Sequence, residues 1–245
     1  MADGPLPRTA RATSGVAGVV GALAALVGPL ADAGQHDLTA HMAGHLLLGM
    51  VAPLLLVLAD PVTLALRTLP VARARELVRV LRSRPARLLT HPATATVLDV
   101  GGLWVLYRTG LFAVMMTSPP VHALVMAHVL LAGWLFTHAV AGYDPTPSRP
   151  SFTVRAAWLV AGLAAHEMLA RSLVVHPPAM AGMGAVGAGT GAALMYYGGD
   201  VVDVVLMVLL CAQWYAATAP GRRRPRPGTG RVRGSVPRRR PASAP

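Results

Sequence analysis

Six apolar segments of about 20 residues divide the chain, and they restrict its fold more than any other feature. An apolar segment of that length crosses a bilayer as an α-helix, because a helix pairs its backbone polar groups internally. The segments span residues 14–30, 38–58, 91–115, 121–140, 154–175 and 197–219. We therefore expect an all-α membrane protein, built as a bundle of six transmembrane helices.

The composition agrees with a membrane protein and argues against a soluble enzyme. Of 245 residues, 54% are hydrophobic and 13% are charged, about half the charged share of a soluble domain. The single cysteine leaves no disulfide framework and no paired-cysteine metal motif. No P-loop, G-x-S-x-G or H-E-x-x-H motif is present, and no connection is long enough for a soluble domain. We expect a protein that is not an enzyme.

The arginines predict the orientation of the bundle. Most of them occur in the N-terminal segment, the second and fourth connections and the C-terminal tail, whereas the other three connections have none. Basic residues concentrate on the cytoplasmic side of membrane proteins, so both termini are predicted to be cytoplasmic, N-in and C-in. Residues 1–13 form a cytoplasmic N-terminus, residues 14–219 the transmembrane domain, and residues 220–245 a disordered Arg/Pro-rich tail.

The net charge of +12 is assigned to lipid rather than to nucleic acid. The two arginine-rich runs lack interleaved aromatic residues and any motif that reads bases. Residues 71–81 have the pattern of a short amphipathic helix, whose arginines suit the anionic headgroups of the bilayer. The first apolar segment can also be interpreted as a cleaved signal peptide, but an uncleaved helix fits the arginine distribution better.

Ionisable side chains inside the apolar segments are the candidate functional residues, because such groups in a membrane face a bundle interior or a cavity. His41 and His45 are four residues apart, so they lie on one face of the second helix. At about 1.5 Å of rise per residue, His45, His128 and Asp203 lie at similar depth near the outer side. His166 lies near mid-membrane on the fifth helix. We expect these five residues to converge.

Several methionines also occur near the outer ends of the helices, among them Met115, Met116 and Met126. Imidazole and thioether together suit copper, in particular Cu(I). The sequence therefore predicts a copper site formed by His41, His45, His128, His166 and Asp203.

Simpler interpretations of these polar residues remain open. A single membrane histidine is commonly a hydrogen-bonding group between helices, and methionine fills irregular gaps in a core. Glu167 and Arg171 have the spacing of an ion pair within one helix. His91, which precedes Pro92, marks a helix start. His91, Asp99 and His138 can also supply the inner half of a transport path.

Several motifs, in order along the chain, resemble the membrane-integral CtaG family of cytochrome c oxidase caa3 assembly factors. They are HMAGHLLLGMVAPLLLVLADP from His41, His91-Pro92, HVLLAGWLFTHAVAGYDPTPSRPS from His128, AAHEMLAR around His166, MYYGGDVVD from Met195, and Gln213-Trp214-Tyr215. Asp203 stands where the family pattern has glutamate. The resemblance covers residues 35–215.

The resemblance implies a role in maturing cytochrome c oxidase in the bacterial inner membrane, with oxidase subunits as partners and copper as the handled ion. Two other functions stay open. A copper or proton-linked transporter needs polar groups across the whole membrane. A haem-binding redox protein needs facing histidines on different helices, which His45 with His128 or His166 can supply.

Overall fold

The computed structural model describes residues 6–143, 149–176 and 188–219, and within them every regular element is a helix. The predicted all-α class is therefore confirmed, while the predicted disordered tail, residues 220–245, lies outside the described residues. The helices are α1 Arg8–Leu26, α2 Pro29–Gly34, α3 Leu38–Leu58, α4 Pro61–Thr68, α5 Val71–Leu81, α6 Arg84–Leu89, α7 Pro92–Arg108, α8 Leu111–Thr117, α9 Pro119–Ala141, α10 Phe152–Val175 and α11 Ala188–Thr218.

Within the described residues, five helices are long and apolar enough to cross a membrane, namely α1, α3, α9, α10 and α11, which makes the chain a multi-pass membrane protein. A sixth span is formed if α7 and α8 are counted as one, and these two helices meet at a bend of 80°. The third apolar segment, expected as one helix over residues 91–115, is therefore broken. Thr109 has extended backbone at the break, and its hydroxyl accepts a hydrogen bond from the backbone N–H of Leu111 at 3.2 Å.

The last helix begins at Ala188 rather than at residue 197, where the sequence predicted its start. Its first turns contain glycine, which has low helix propensity. Close packing offsets this low propensity. Gly191 lies against the Leu38 carbonyl at the beginning of α3, where even a methyl group would be in close contact. A small residue at this point lets α3 and α11 approach each other.

Two buried hydrophobic clusters show that the helices alternate in direction. One contains Leu38 and Met42 from the beginning of α3 with Leu169 and Leu173 from the end of α10. The other contains Leu54 from the end of α3 and Leu159 from the beginning of α10. The bundle therefore has two ends, which we call the methionine end, around Met42, and the arginine end, around Leu54 and Arg155.

The first helix packs on α3 through a row of glycines. Gly18 contacts the side chain of Leu56 and the backbone of Ala52, and Gly21 contacts Leu47. At the arginine end, Arg11 forms an ion pair with Asp60 at 3.4 Å. The opposite face of α1 is apolar and exposed, as expected for a surface that meets lipid.

A buried arginine joins three spans at the arginine end. Arg155, at the start of α10, donates hydrogen bonds to the Val140 carbonyl at 2.9 Å and to Gln213 at 2.8 Å. Gln213 on α11 donates in turn to the Ala141 carbonyl at 2.7 Å. These bonds satisfy carbonyls that the end of α9 leaves without intrahelical partners, and they fix α9, α10 and α11 relative to one another.

Candidate functional site

A small cavity with several polar side chains in a mostly apolar wall lies inside the bundle. Its volume is about 30 Å³, enough for one or two water molecules or a single ion. Five spans contribute to its wall. Its polar or sulfur-containing lining residues are His45, Met50, Asp99, Thr137, His166 and Asp203. We call this space the buried cavity.

Two π-helical turns border the buried cavity, one over Leu47–Val51 in α3 and one over Val97–Gly101 in α7. Such a turn places an extra residue in the helix and rotates the side chains beyond it, and π-turns in α-helices frequently occur at functional sites. Met50 lies in the first π-turn and Asp99 in the second, and both line the cavity. Both helical irregularities therefore contribute a side chain to the same cavity.

His45 on α3 and His166 on α10 both line the cavity, and both side chains are buried. His45 lies against Gly49 on its own helix and edge-on to Tyr107, with ring centroids 6.3 Å apart. His166 lies against Gly199 of α11. Within the described residues, the Nε2 atom of each ring has no hydrogen-bond partner. Buried polar atoms are normally paired, so two unpaired nitrogens at one cavity point to a ligand.

Two carboxylates complete the polar wall. Asp203 on α11 is buried and Asp99 on α7 is half-buried, and both line the same cavity. Carboxylates in a membrane-spanning segment are costly unless they face a partner or a cavity. Asp203 was predicted from the sequence as a member of this group, whereas Asp99 was not.

The residues on either side of His166, Ala165 and Glu167, both form hydrogen bonds with other residues. The indole N–H of Trp104 donates to the carbonyl of Ala165 at 3.1 Å and so ties α7 to the turn that carries His166. Glu167 points elsewhere: it accepts hydrogen bonds from Arg171 at 2.6 Å and from the Tyr196 hydroxyl at 2.8 Å. The ion pair predicted from the i,i+4 spacing is therefore confirmed, and this glutamate does not line the buried cavity.

His41 occupies a separate buried position one turn from His45. Its ring is edge-on to Phe112, with centroids 5.2 Å apart, and also faces Tyr107. It lines a second space of about 30 Å³, which we call the middle cavity, together with His45 and His122. His45 thus belongs to both cavities and lies between them.

His128 lies apart from the other four predicted residues. Its Nε2 atom is 3.0 Å from the carbonyl of Leu98, its ring lies over Gly102 of α7, and the side chain is exposed on the bundle surface. The Leu98 carbonyl also accepts a hydrogen bond from the backbone N–H of Gly102, so the His128 ring is a second partner on that carbonyl and has a structural role. The structure brings His45, His166 and Asp203 together, with His41 next to them, and does not bring His128 to the cavity.

The histidines at the arginine end do not line the buried cavity either. The Nδ1 atom of His91 accepts a hydrogen bond from the backbone N–H of Ala93 at 3.2 Å, so His91 caps the start of α7 as predicted. His138 stacks on Trp134, with centroids 5.3 Å apart. Of the three groups considered for the inner half of a transport path, only Asp99 lines the cavity.

The donors present fit a single soft metal ion better than a larger cofactor. A cavity of about 30 Å³ is too small to enclose a porphyrin, which disfavours a haem between His45 and His166. Within the described residues, no three His, Cys, Asp or Glu side chains are grouped closely enough to hold a metal. The remaining donor is the Met50 thioether, and the Met50 methyl and the His166 ring both adjoin Gly199. Two imidazoles with a thioether form a ligand set typical of Cu(I).

The fold and this cavity define a multi-pass helical membrane protein that encloses imidazoles, carboxylates and a thioether in its centre. The chain belongs to the Caa3_CtaG family, the cytochrome c oxidase caa3 assembly factors, whose family model matches residues 2–217. The resemblance found in the sequence motifs is thereby confirmed. No solved structure matches the chain.

Relatives in mycobacteria are much longer proteins. An uncharacterized protein of Mycobacterium tuberculosis is 39% identical over 148 residues, which is 58% of this chain and 22% of that protein. An uncharacterized protein of Mycobacterium leprae is 31% identical over 200 residues, which is 74% of this chain and 30% of that protein. The chain thus spans less than a third of these relatives.

Proposed function

We propose that this protein assists the maturation of a bacterial cytochrome c oxidase by holding copper transiently in the buried cavity. Copper is the cargo, bound by His45 and His166, with the Met50 sulfur as a third donor and Asp203 and Asp99 beside it. The protein is not a catalyst in this account. Its partners are oxidase subunits, which receive the ion. The observation that supports the proposal best is the pair of buried, unpaired Nε2 atoms at one cavity.

The chemistry of the cavity suits a transient carrier. Imidazole and thioether groups are neutral ligands, so a bound Cu(I) keeps its positive charge, and the nearby carboxylates offset that charge in a low-dielectric interior. A site with few ligands and no thiolate releases its ion more readily than a thiolate site. Cys211 is exposed on α11 and does not line the cavity.

The orientation in the membrane follows from the arginines, and it is also part of the proposal. The arginine end faces the cytoplasm and the methionine end faces the outer side of the inner membrane. The packing of α1 along α3 favours a retained first helix over a cleaved signal peptide. Helix α5, whose bounds Val71–Leu81 match the predicted segment, lies on anionic headgroups at the cytoplasmic surface.

The proposal is tested by oxidase activity in cells that carry His45→Ala and His166→Ala together. Activity is normalised to haem a absorbance, and His36→Ala, an exposed histidine outside the cavity, is the control. We expect activity per haem a to fall to the level of a strain without the gene, because the oxidase is built but lacks copper. Wild-type activity per haem a, with the variant present at normal abundance in the membrane, would contradict the proposal.

A further inference from the structure

Three neighbouring spaces, which share lining residues, lie in series from an open pocket at the methionine end to the buried cavity. The outermost is an open pocket of about 660 Å³ between α2, α8 and α9, which we call the vestibule. Four residues line both the vestibule and the middle cavity: Ala31, Gln35, His122 and Met126. His45 lines both the middle cavity and the buried cavity. Shared lining residues mean that adjacent spaces are separated by single side chains.

The side chains along this route are soft donors. Met115, Met116 and Met126 line the vestibule, with His122 at its inner boundary. His122 and Met126 lie on one face of α9 at i,i+4 spacing, as His41 and His45 do on α3. The middle cavity brings these two pairs to one space. Each of the three spaces is therefore lined by at least one thioether and one imidazole.

Simple core packing does not explain the vestibule methionines. Met115 is fully buried and fills the core in the usual way, but Met116 and Met126 are half-buried on the wall of an open pocket. The pocket also contains Asp32, which is exposed at its rim and attracts cations. From the surface inward, the route therefore presents a carboxylate first, then thioethers and then imidazoles. This order suits the passage of a soft cation.

We propose that the vestibule is a loading site for Cu(I), which binds at Met116, Met126 and His122 and passes through the middle cavity, by way of His41, to His45. The inference rests on the proposed function, because it assigns the route by which the buried cavity is filled. It gives the two α3 histidines different tasks: His41 transfers the ion and His45 stores it. It also explains why His41 lines a different space from His166.

The test is the rate at which the purified full chain, in detergent, removes Cu(I) from its bicinchoninate complex after rapid mixing. We expect the double variant His122→Gln and Met126→Leu to load about tenfold more slowly or worse, a loss typical when groups that hold or orient a metal are replaced. The copper held at equilibrium should stay at the wild-type amount, since the buried cavity is intact. Met168→Leu, an exposed methionine on α10, is the matched control and should load at the wild-type rate.

The possible results separate this inference from the proposed function. A wild-type loading rate in the double variant, with wild-type copper at equilibrium, overturns the vestibule and leaves the buried site standing. Loss of equilibrium copper in the double variant also overturns the route, because His122 and Met126 would then belong to the storage site. If the wild-type chain itself takes no copper from the probe, the proposed function fails and the route fails with it.

Discussion

His166→Ala is expected to lower the affinity of the purified chain for Cu(I) by about 100-fold or more. Replacing only the groups that orient a metal ligand costs 10–100-fold in affinity, and this variant removes a ligand itself. The measurement is equilibrium competition with bicinchoninate in detergent. His45→Ala should have a similar effect, because each histidine supplies one of the two unpaired Nε2 atoms.

The control for this experiment is His128→Ala. The sequence placed His128 in the same metal group, but in the structure its ring bonds the Leu98 carbonyl on the bundle surface. Its loss should leave copper affinity near the wild-type value. An equal loss of affinity in His128→Ala and His166→Ala would show that the depth argument from the sequence was the better guide, and that the buried cavity is not the site.

Gly133→Val is expected to disrupt the packing of α9 on α3. A Cβ at Gly133 of α9 would overlap the carbonyl oxygen of Gly49 on α3, and it would also lie 3.2 Å from the ring of Pro53. These contacts are mainly with backbone, which cannot rotate away as a side chain can. Overpacking in a core typically costs about 1–3 kcal/mol, which corresponds to roughly 2–12 °C in melting temperature for a chain of this size.

The measurement is the apparent melting temperature in detergent, followed by tryptophan fluorescence. The control is Gly44→Ala on α3, where a Cβ would meet nothing within 4 Å. Alanine has a higher helix propensity than glycine, so the control should keep or slightly raise the melting temperature. Equal melting temperatures for Gly133→Val and the wild type would mean that α9 and α3 do not cross at these glycines.

Length and hydrophobic pattern were sufficient to predict most of the bundle. The second segment was predicted at residues 38–58 and α3 has the bounds Leu38–Leu58. Such predictions succeed because an apolar run of this length has few alternatives to a spanning helix. The bend after Arg108 was missed, because the polar run Arg108-Thr109-Gly110 is short and apolar residues continue on both sides of it.

The site was predicted in part, and the errors have one cause. Rise per residue gives the height of a side chain along its helix but not the direction in which it points. His45 and Asp203 share a height and a cavity, whereas His128 points to the surface of α7. Met50 and Asp99 were missed because a π-turn rotates each of them, and the hydrophobic pattern carries no signal for a π-turn.

The most direct test of copper binding in the buried cavity is X-ray absorption at the copper edge. The sample is the wild-type chain loaded with one equivalent of Cu(I). We predict scattering from two imidazole rings and from one sulfur, matching His45, His166 and Met50. In His166→Ala the scattering of one imidazole should disappear. A spectrum without imidazole scattering, or a wild-type chain that retains no copper, would contradict the account.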